Sequence, residues 1–144
     1  MQRFTQVIIS ISLLVLILAC NQSAGTGELK IDFQKYTLAN GLNVVLHNDK
    51  SDPIVSVAIQ YNVGSGREVK GRTGFAHLFE HMLFQESENV PQDQFFKKVQ
   101  NVGGTLNGFT NKDETVYFEI VPKNALETLL WLESDRMGFF INTV

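Results

Sequence analysis

The chain has 144 residues, of which 44% are apolar and 19% are charged. This is the composition of a globular domain and argues against intrinsic disorder or a collagen-like fibre. The formal net charge is -3 and the 12 Lys and Arg residues are scattered, so we predict no nucleic-acid partner. The single cysteine, Cys20, leaves no pair for an internal disulfide or a Cys-x-x-Cys metal site. Any metal must therefore be held by His, Asp or Glu.

An apolar segment near the amino terminus predicts an export signal. Residues 7–19 include only two polar residues. As a helix rising about 1.5 Å per residue they would span roughly 20 Å, which is less than the hydrocarbon core of a membrane. We therefore predict a signal peptide over residues 1–19 rather than a permanent transmembrane anchor.

The end of this segment contains the only cysteine. The sequence Ile17-Leu18-Ala19-Cys20 resembles the lipobox of bacterial lipoproteins, so we predict that Cys20 is lipidated, the alternative being a cysteine without function. Residues 20–30 are then the lipidated cysteine and a small, polar, flexible tether. The folded domain is predicted over residues 31–144.

The first part of this domain is predicted to be β-structure. Residues 36–38 and 42–47 flank Asn40-Gly41, a pair that tolerates positive φ at both central positions of a type I′ turn, so a β-hairpin is expected. Apolar and polar residues then alternate from Val55 to Val63, which predicts a third strand with one apolar face.

Two helices are predicted next. Apolar residues at helical spacing predict a first helix that is buried on most of its circumference. These residues are Phe75, Leu78, Phe79, Met82 and Leu83. Pro91 is expected to open a second, short amphipathic helix, and Gly103-Gly104 to end it with a left-handed conformation.

A strand and a last helix complete the pattern. Residues 115–121 are β-branched and aromatic and predict a strand. Asn124 is the expected N-cap of a helix with one apolar side, formed by Leu126, Leu129, Leu130 and Met137. The order β-β-β-α-α-β-α predicts an α+β fold, in which an antiparallel-rich sheet packs against helices.

The first helix contains the sequence His77-Leu-Phe-Glu80-His81. At about 100° per residue the two histidines are about 40° apart on one face of the helix, with Glu80 close beside them. Two imidazoles one turn apart can bind one Zn²⁺, and a carboxylate next to them can take a proton from a water molecule that the metal activates. The pattern therefore points to hydrolysis of amide bonds, with Glu80 as the catalytic base.

The alternative is that these three residues form an ordinary polar face. Their neighbours from Phe75 to Phe84 are almost all apolar, so the helix has hardly any polar face to which they could belong. Burying a glutamate beside two unliganded histidines would cost on the order of several kcal/mol, whereas a divalent cation would satisfy all three side chains. The metal site is the interpretation we retain.

The region around this motif resembles a known family. His77-x-x-Glu80-His81 is the inverted zinc-peptidase motif, and residues 74–84 resemble the corresponding helix of the pitrilysin and insulinase peptidases. Residues 38–44 and 63–68 resemble segments before that helix. Residues 103–117 are similar to the family's Gly-Gly-x-x-Asn-Ala-x-Thr-x-x-Asp-x-Thr-x-Tyr stretch, and residues 133–137 to the helix that follows.

The resemblance implies roles for individual residues. His77 and His81 would be ligands of one Zn²⁺, and Glu80 the catalytic base. The strand formed by Asn107, Gly108, Phe109 and Thr110 would hold the substrate backbone by edge-strand pairing. Gly108 stands where the family usually has alanine, and Gln85-Glu86-Ser87 departs from the family pattern after the helix.

The resemblance also implies a ligand that this sequence lacks. In the family the third zinc ligand is a glutamate that would fall beyond Val144, and a catalytic zinc site needs three protein ligands. We therefore expect residues 31–144 to be the incomplete amino-terminal domain of a longer protein, inactive by itself, with further homologous domains in the same chain or in a partner subunit. His47, Asp113 or Glu119 could conceivably substitute for the missing ligand.

The sequence thus predicts a zinc metalloendopeptidase of the cell envelope. Its substrates would be peptides or small proteins, and Cys20 would anchor it to a membrane, in the outer membrane or facing the periplasm. One alternative is a non-catalytic structural or assembly subunit with the same fold. A lipid-anchored binding module with incidental histidines is another.

Overall fold

The structure is a computed structural model that describes residues 30–143. These residues divide between a first unit that ends at Asn48 and a second unit that begins at Asp49. The predicted signal peptide, Cys20 and almost all of the tether lie outside the described residues. Within residues 30–143, no helix has the length and apolar character needed to cross a membrane.

The first unit contains the predicted β-hairpin. Strands β1 (Gln34–Thr37) and β2 (Asn43–Leu46) are antiparallel, with Gln34 opposite Leu46. The predicted type I′ turn is wrong, because only Gly41 has a positive φ, of 90°. The amide of Gly41 instead donates to the carbonyl of Leu38, and the amide of Leu38 to the carbonyl of Leu42. This is the three-residue loop in which a type I turn is followed by a left-handed glycine.

The second unit contains a three-stranded antiparallel sheet. Strands β3 (Ile54–Tyr61), β4 (Thr105–Thr110) and β5 (Thr115–Pro122) are arranged in the order β3-β5-β4. Periodicity predicted β3 and β5 but not β4, because β4 contains Asn107 and Gly108, which strands disfavour. Pairing with β5 places these residues in a strand regardless of propensity.

Three helices cover one face of this sheet. They are α1 (Phe75–Met82), α2 (Gln94–Asn101) and α3 (Leu126–Phe139). The apolar core lies between β5, α2 and α3 and consists of Val90, Phe95, Val99, Val121, Ala125, Leu129 and Leu132. The α+β fold with an antiparallel sheet packed against helices is therefore confirmed.

The prediction that α1 is buried on most of its circumference is wrong. Only Ala76 and Glu80 are buried within the helix, whereas Phe75 is 51% and Leu78 is 50% exposed. The sheet covers one side of α1, because a helix that rests on a sheet presents only a stripe to it. The apolar residues on the other sides are exposed.

The starts of the other two helices also differ from the predictions. Pro91 lies in the turn before α2, where its carbonyl accepts from the amide of Gln94, and does not open the helix. Asn124 belongs to a 3-10 turn before α3 and does not cap that helix through its side chain. The predicted left-handed end of α2 is confirmed, since Gly103 has a φ of 81°.

The prediction that α3 has one apolar, buried side is also partly wrong. Leu129 is buried, but Leu130 and Met137 are 50% and 41% exposed. Two charged side chains of α3 are buried instead, since Glu133 and Arg136 are each only 1% exposed. These two residues pair with each other, which makes their burial possible.

Candidate active site

The helix that carries the motif is fixed at its first turn by a carboxylate. Gly74 precedes α1 in the left-handed conformation, with a φ of 94°. The Glu68 carboxylate accepts hydrogen bonds from the amides of Gly74 (2.7 Å) and Ala76 (2.8 Å), which otherwise have no partner at a helix start. The bonds from Ala76 and Gly74 lower the pKa of Glu68. The sequence gives no clear signal for this contact, because Glu68 lies outside the first turn of α1, where acidic residues are expected.

The two histidines lie side by side and are exposed. Nε2 of His77 is 3.1 Å from Nε2 of His81, and the ring centroids are 4.7 Å apart. Two nitrogen ligands at about 2.0–2.1 Å from one tetrahedral zinc ion are about 3.3 Å apart. The nitrogen atoms are therefore close to the spacing that a shared zinc ion needs, and His77 and His81 fit the group that the sequence predicts.

Glu80 occupies a different environment from the histidines. It is only 8% exposed and lies against strand β4, where the hydroxyl of Thr110 donates to its Oε2. Oγ1 of Thr110 is 3.1 Å from Oγ1 of Thr115, and the hydroxyl of Thr115 donates to the carbonyl of Val63 at 2.9 Å. A line of side chains thus connects the sheet to the carboxylate of Glu80.

The described residues do not supply a third ligand. Within residues 30–143, no three His, Cys, Asp and Glu side chains are grouped so that they could hold a metal ion. Glu119, which could conceivably substitute, is fully buried and pairs with Arg136 at 2.8 Å. The side chain of His47 is hydrogen-bonded to the carbonyl of Asp32.

Strand β4 presents its second edge without a partner strand among the described residues. The amide of Gly108 donates to Oδ1 of Asn107 at 2.8 Å rather than to β5. Residues 106, 108 and 110 face the helices, because they lie opposite the buried residues of β5. A Cβ atom at Gly108 would be 3.1 Å from ring carbons of Phe84, so this position is fitted to a residue without a side chain.

The loop after α1, where the sequence departs from the family pattern, is fixed by a buried aspartate. Asp135 is 3% exposed and accepts from Oγ of Ser87 (2.5 Å) and from Nδ2 of Asn89 (2.6 Å). Burial acts to raise the pKa of Asp135, but these hydrogen bonds outweigh it and lower the pKa. The loop is therefore held to α3.

A buried ionic cluster lies behind the site. Arg136 pairs with both Glu119 and Glu133, and its guanidinium carbon lies 4.2 Å from the ring centroid of Tyr117 and 4.3 Å from that of Phe95. The sequence patterns did not predict this cluster, because charged side chains are normally solvent-exposed. The neighbouring cavity of about 460 Å³ is lined by Arg136 and also by Glu80. It is otherwise mostly apolar.

Comparisons with known proteins identify what this arrangement resembles. The profile of the family described as Insulinase (Peptidase family M16) matches residues 43–137. Zinc protease PqqE of Helicobacter pylori is 35% identical over 106 residues, which cover 73% of this chain and 24% of that protein. The chain thus spans about a quarter of the length of this relative.

Solved structures share the fold. The crystal structure of a protease from Helicobacter pylori matches with a TM-score of 0.75 at 34% identity, covering 78% of this chain and 27% of its own. The periplasmic protease PqqL from Escherichia coli matches with a TM-score of 0.70 at 25% identity, covering 77% of this chain and 13% of its own. The antiparallel sheet with helices on one face is therefore an arrangement found in proteases.

Proposed function

This chain belongs to the insulinase family, peptidase family M16, and from this membership we propose that it forms part of a zinc metalloendopeptidase. The protein would hydrolyse peptide bonds of peptides or small proteins. The observation that carries the proposal is the placement of two exposed imidazole Nε2 atoms 3.1 Å apart on α1, with the buried carboxylate of Glu80 on the same helix.

His77 and His81 would hold the zinc ion, together with a third protein ligand that residues 30–143 do not supply. A zinc ion in this place would act as a Lewis acid, polarising the scissile carbonyl and making a water molecule acidic enough to lose its proton near neutral pH. The exposure of both imidazoles leaves them accessible to the ion and to substrate.

Glu80 would act as the general base and then as the general acid. Its carboxylate would take a proton from the attacking water and pass it to the leaving amine. Burial supports this role, because a carboxylate held against a strand keeps a defined orientation while it moves the proton. Without a side chain that can accept a proton at this position, the cleavage step would stop.

Strand β4 would bind the substrate. Asn107, Gly108, Phe109 and Thr110 form one side of an edge, and an extended peptide that adds to this edge would gain main-chain hydrogen bonds. The amide of Gly108, which now donates to a neighbouring side chain, is a donor that such a peptide would use.

We also propose that the protein works in the cell envelope, anchored by a lipid on Cys20. The apolar segment over residues 7–19, the cysteine that follows it and the polar tether support this placement, and PqqL is a periplasmic protease. Labelled fatty acid should be incorporated into the wild type but not into Cys20→Ser. A wild-type protein that carries no label would instead indicate an ordinary cleaved signal.

The catalytic proposal is tested by Glu80→Gln in the full-length protein. The amide is nearly isosteric with the carboxylate but cannot accept the proton, so we expect stoichiometric zinc and loss of peptide hydrolysis. Zinc content by metal analysis and turnover of a quenched fluorescent peptide are the measurements. Normal turnover by this variant would remove Glu80 from the mechanism, and a wild type that neither binds zinc nor cleaves peptides would refute the proposed activity.

A further inference from the structure

The carboxylate of Glu80 is held by a hydroxyl of the neighbouring strand. Thr110 donates from Oγ1 to Oε2 of Glu80, and within residues 30–143 this is the one hydrogen bond that the carboxylate receives. The two residues are thirty positions apart in the chain. The bond therefore exists only because α1 packs on β4.

The other hydroxyl close to Thr110 does not compete for its hydrogen. Oγ1 of Thr115, a residue that is 6% exposed, lies 3.1 Å from Oγ1 of Thr110. A threonine hydroxyl has one hydrogen, and that of Thr115 is donated to the carbonyl of Val63 at 2.9 Å. Thr115 therefore donates no hydrogen toward Thr110 or Glu80, and the hydrogen of Thr110 points to the carboxylate.

We propose that Thr110 is a positioning residue for Glu80. Its hydroxyl selects one orientation of the carboxylate by binding Oε2 and leaves Oε1 to accept the proton. This inference rests on the function proposed above, in which Glu80 is the general base and β4 binds the substrate. Because Thr110 belongs to the substrate-binding edge, the same strand would set the position of both the peptide and the base. A displacement of about 1 Å in such a group can cost about a hundredfold in rate.

Two substitutions distinguish the effect of the Thr110 hydroxyl from the effect of side-chain shape. Thr110→Val has nearly the same shape but cannot donate, whereas Thr110→Ser keeps the hydroxyl and loses a methyl group. In the zinc-loaded full-length protein we expect Thr110→Val to lower kcat about 10- to 100-fold, with KM changed less than about threefold and zinc content unchanged. Thr110→Ser should recover most of kcat. A kcat for Thr110→Val within threefold of wild type, or an equal loss in Thr110→Ser, would overturn the proposal.

A second measurement needs no activity. In a double-mutant cycle on the metal-free full-length protein, Thr110→Val and Glu80→Met are combined, and unfolding in urea gives the coupling between the two sites. A direct hydrogen bond to a carboxylate should couple them by about fivefold or more in the unfolding equilibrium constant. Coupling below about twofold would show that Thr110 does not hold Glu80. If the wild type cleaves no peptide, the proposed function fails, and the cycle still decides whether the contact exists.

Discussion

The substitution Arg136→Met would remove the only cation from a buried cluster of two carboxylates. Arg136 is 1% exposed, Glu119 is fully buried and Glu133 is 1% exposed. The guanidinium bonds to both carboxylates and lies against the rings of Tyr117 and Phe95. Methionine fills a similar volume but leaves both carboxylates without a counter-charge.

The expected cost follows from this geometry. Removing one partner of a buried ion pair typically costs about 3–5 kcal/mol, because the other charge stays buried and uncompensated. A domain of this size has a free energy of unfolding of roughly 5–15 kcal/mol. Arg136→Met should therefore lose at least about a fifth of the total stability, and in a marginal case most of it.

The free energy of unfolding that is lost on Arg136→Met should increase with pH. Burial raises the pKa of Glu119 to about 8, and the neighbouring Glu133 adds to the increase, from an ordinary value of 4.5. The folded protein then binds more protons than the unfolded chain between about pH 4.5 and pH 8, so wild-type stability falls as pH rises through this window. Arg136 opposes the increase in the pKa of Glu119. The stability lost on Arg136→Met should therefore be smaller near pH 5 than near pH 8.

Urea unfolding of the chain, followed by far-ultraviolet circular dichroism at pH 5 and pH 8, measures these differences. Arg72→Met is a matched control, because Arg72 is exposed and its loss should change stability by less than about 0.5 kcal/mol. Adding Glu119→Gln and Glu133→Gln to Arg136→Met should restore much of the lost stability, since no buried charge remains. A cost below about 1 kcal/mol at pH 8, or a cost that is larger at pH 5, would refute the reasoning.

Three further predictions concern the motif helix and the chain around it. His77→Ala and His81→Ala should each abolish stoichiometric zinc binding in the full-length protein, because the remaining ligands cannot hold the ion, and retained zinc by metal analysis would contradict the ligand assignment. Glu68→Gln should lower the melting temperature at pH 7 and by progressively less as the pH is lowered below 4.5, because the contribution of a carboxylate with a lowered pKa is fully present above 4.5 and disappears as pH falls through its folded pKa. A shift that does not change with pH would argue against a charged cap. Gly104→Ala should destabilise the fold, since its Cβ would lie 2.7 Å from a side-chain carbon of β5, whereas Gly138→Ala in α3 meets no atom within 4 Å and should stabilise it by about 0.5–1 kcal/mol. The order of the two urea midpoints tests this pair, and a Gly104→Ala chain as stable as wild type would show that β5 can yield there.

Local sequence was enough to predict several elements of the fold. Strict alternation predicted β3, and β-branched and aromatic residues predicted β5, with ends that differ by one or two residues. Helical spacing predicted α1. These patterns depend on neighbours within a few residues, so they can be recognised without knowledge of the rest of the chain.

The proximity of the two histidines could also be predicted from local sequence. Residues at i and i+4 share a helix face, so the helix alone brings Nε2 of His77 close to Nε2 of His81. The burial of Glu80 and the exposure of Leu78 could not be predicted in this way. They depend on which stripe of α1 rests on the sheet, and that is set by packing against β4 and β5, which lie far from α1 in the sequence.

The sequence by itself determined most of the elements, the α+β class and the motif on which the proposed chemistry rests. Only the tertiary structure decided that β4 pairs with β5, that Thr110 binds Glu80 and that Arg136 is buried between two glutamates. The physical reason is that these features depend on strand register and helix packing, which bring together residues far apart in the chain. Propensity acts over a few residues and contains no information about such contacts.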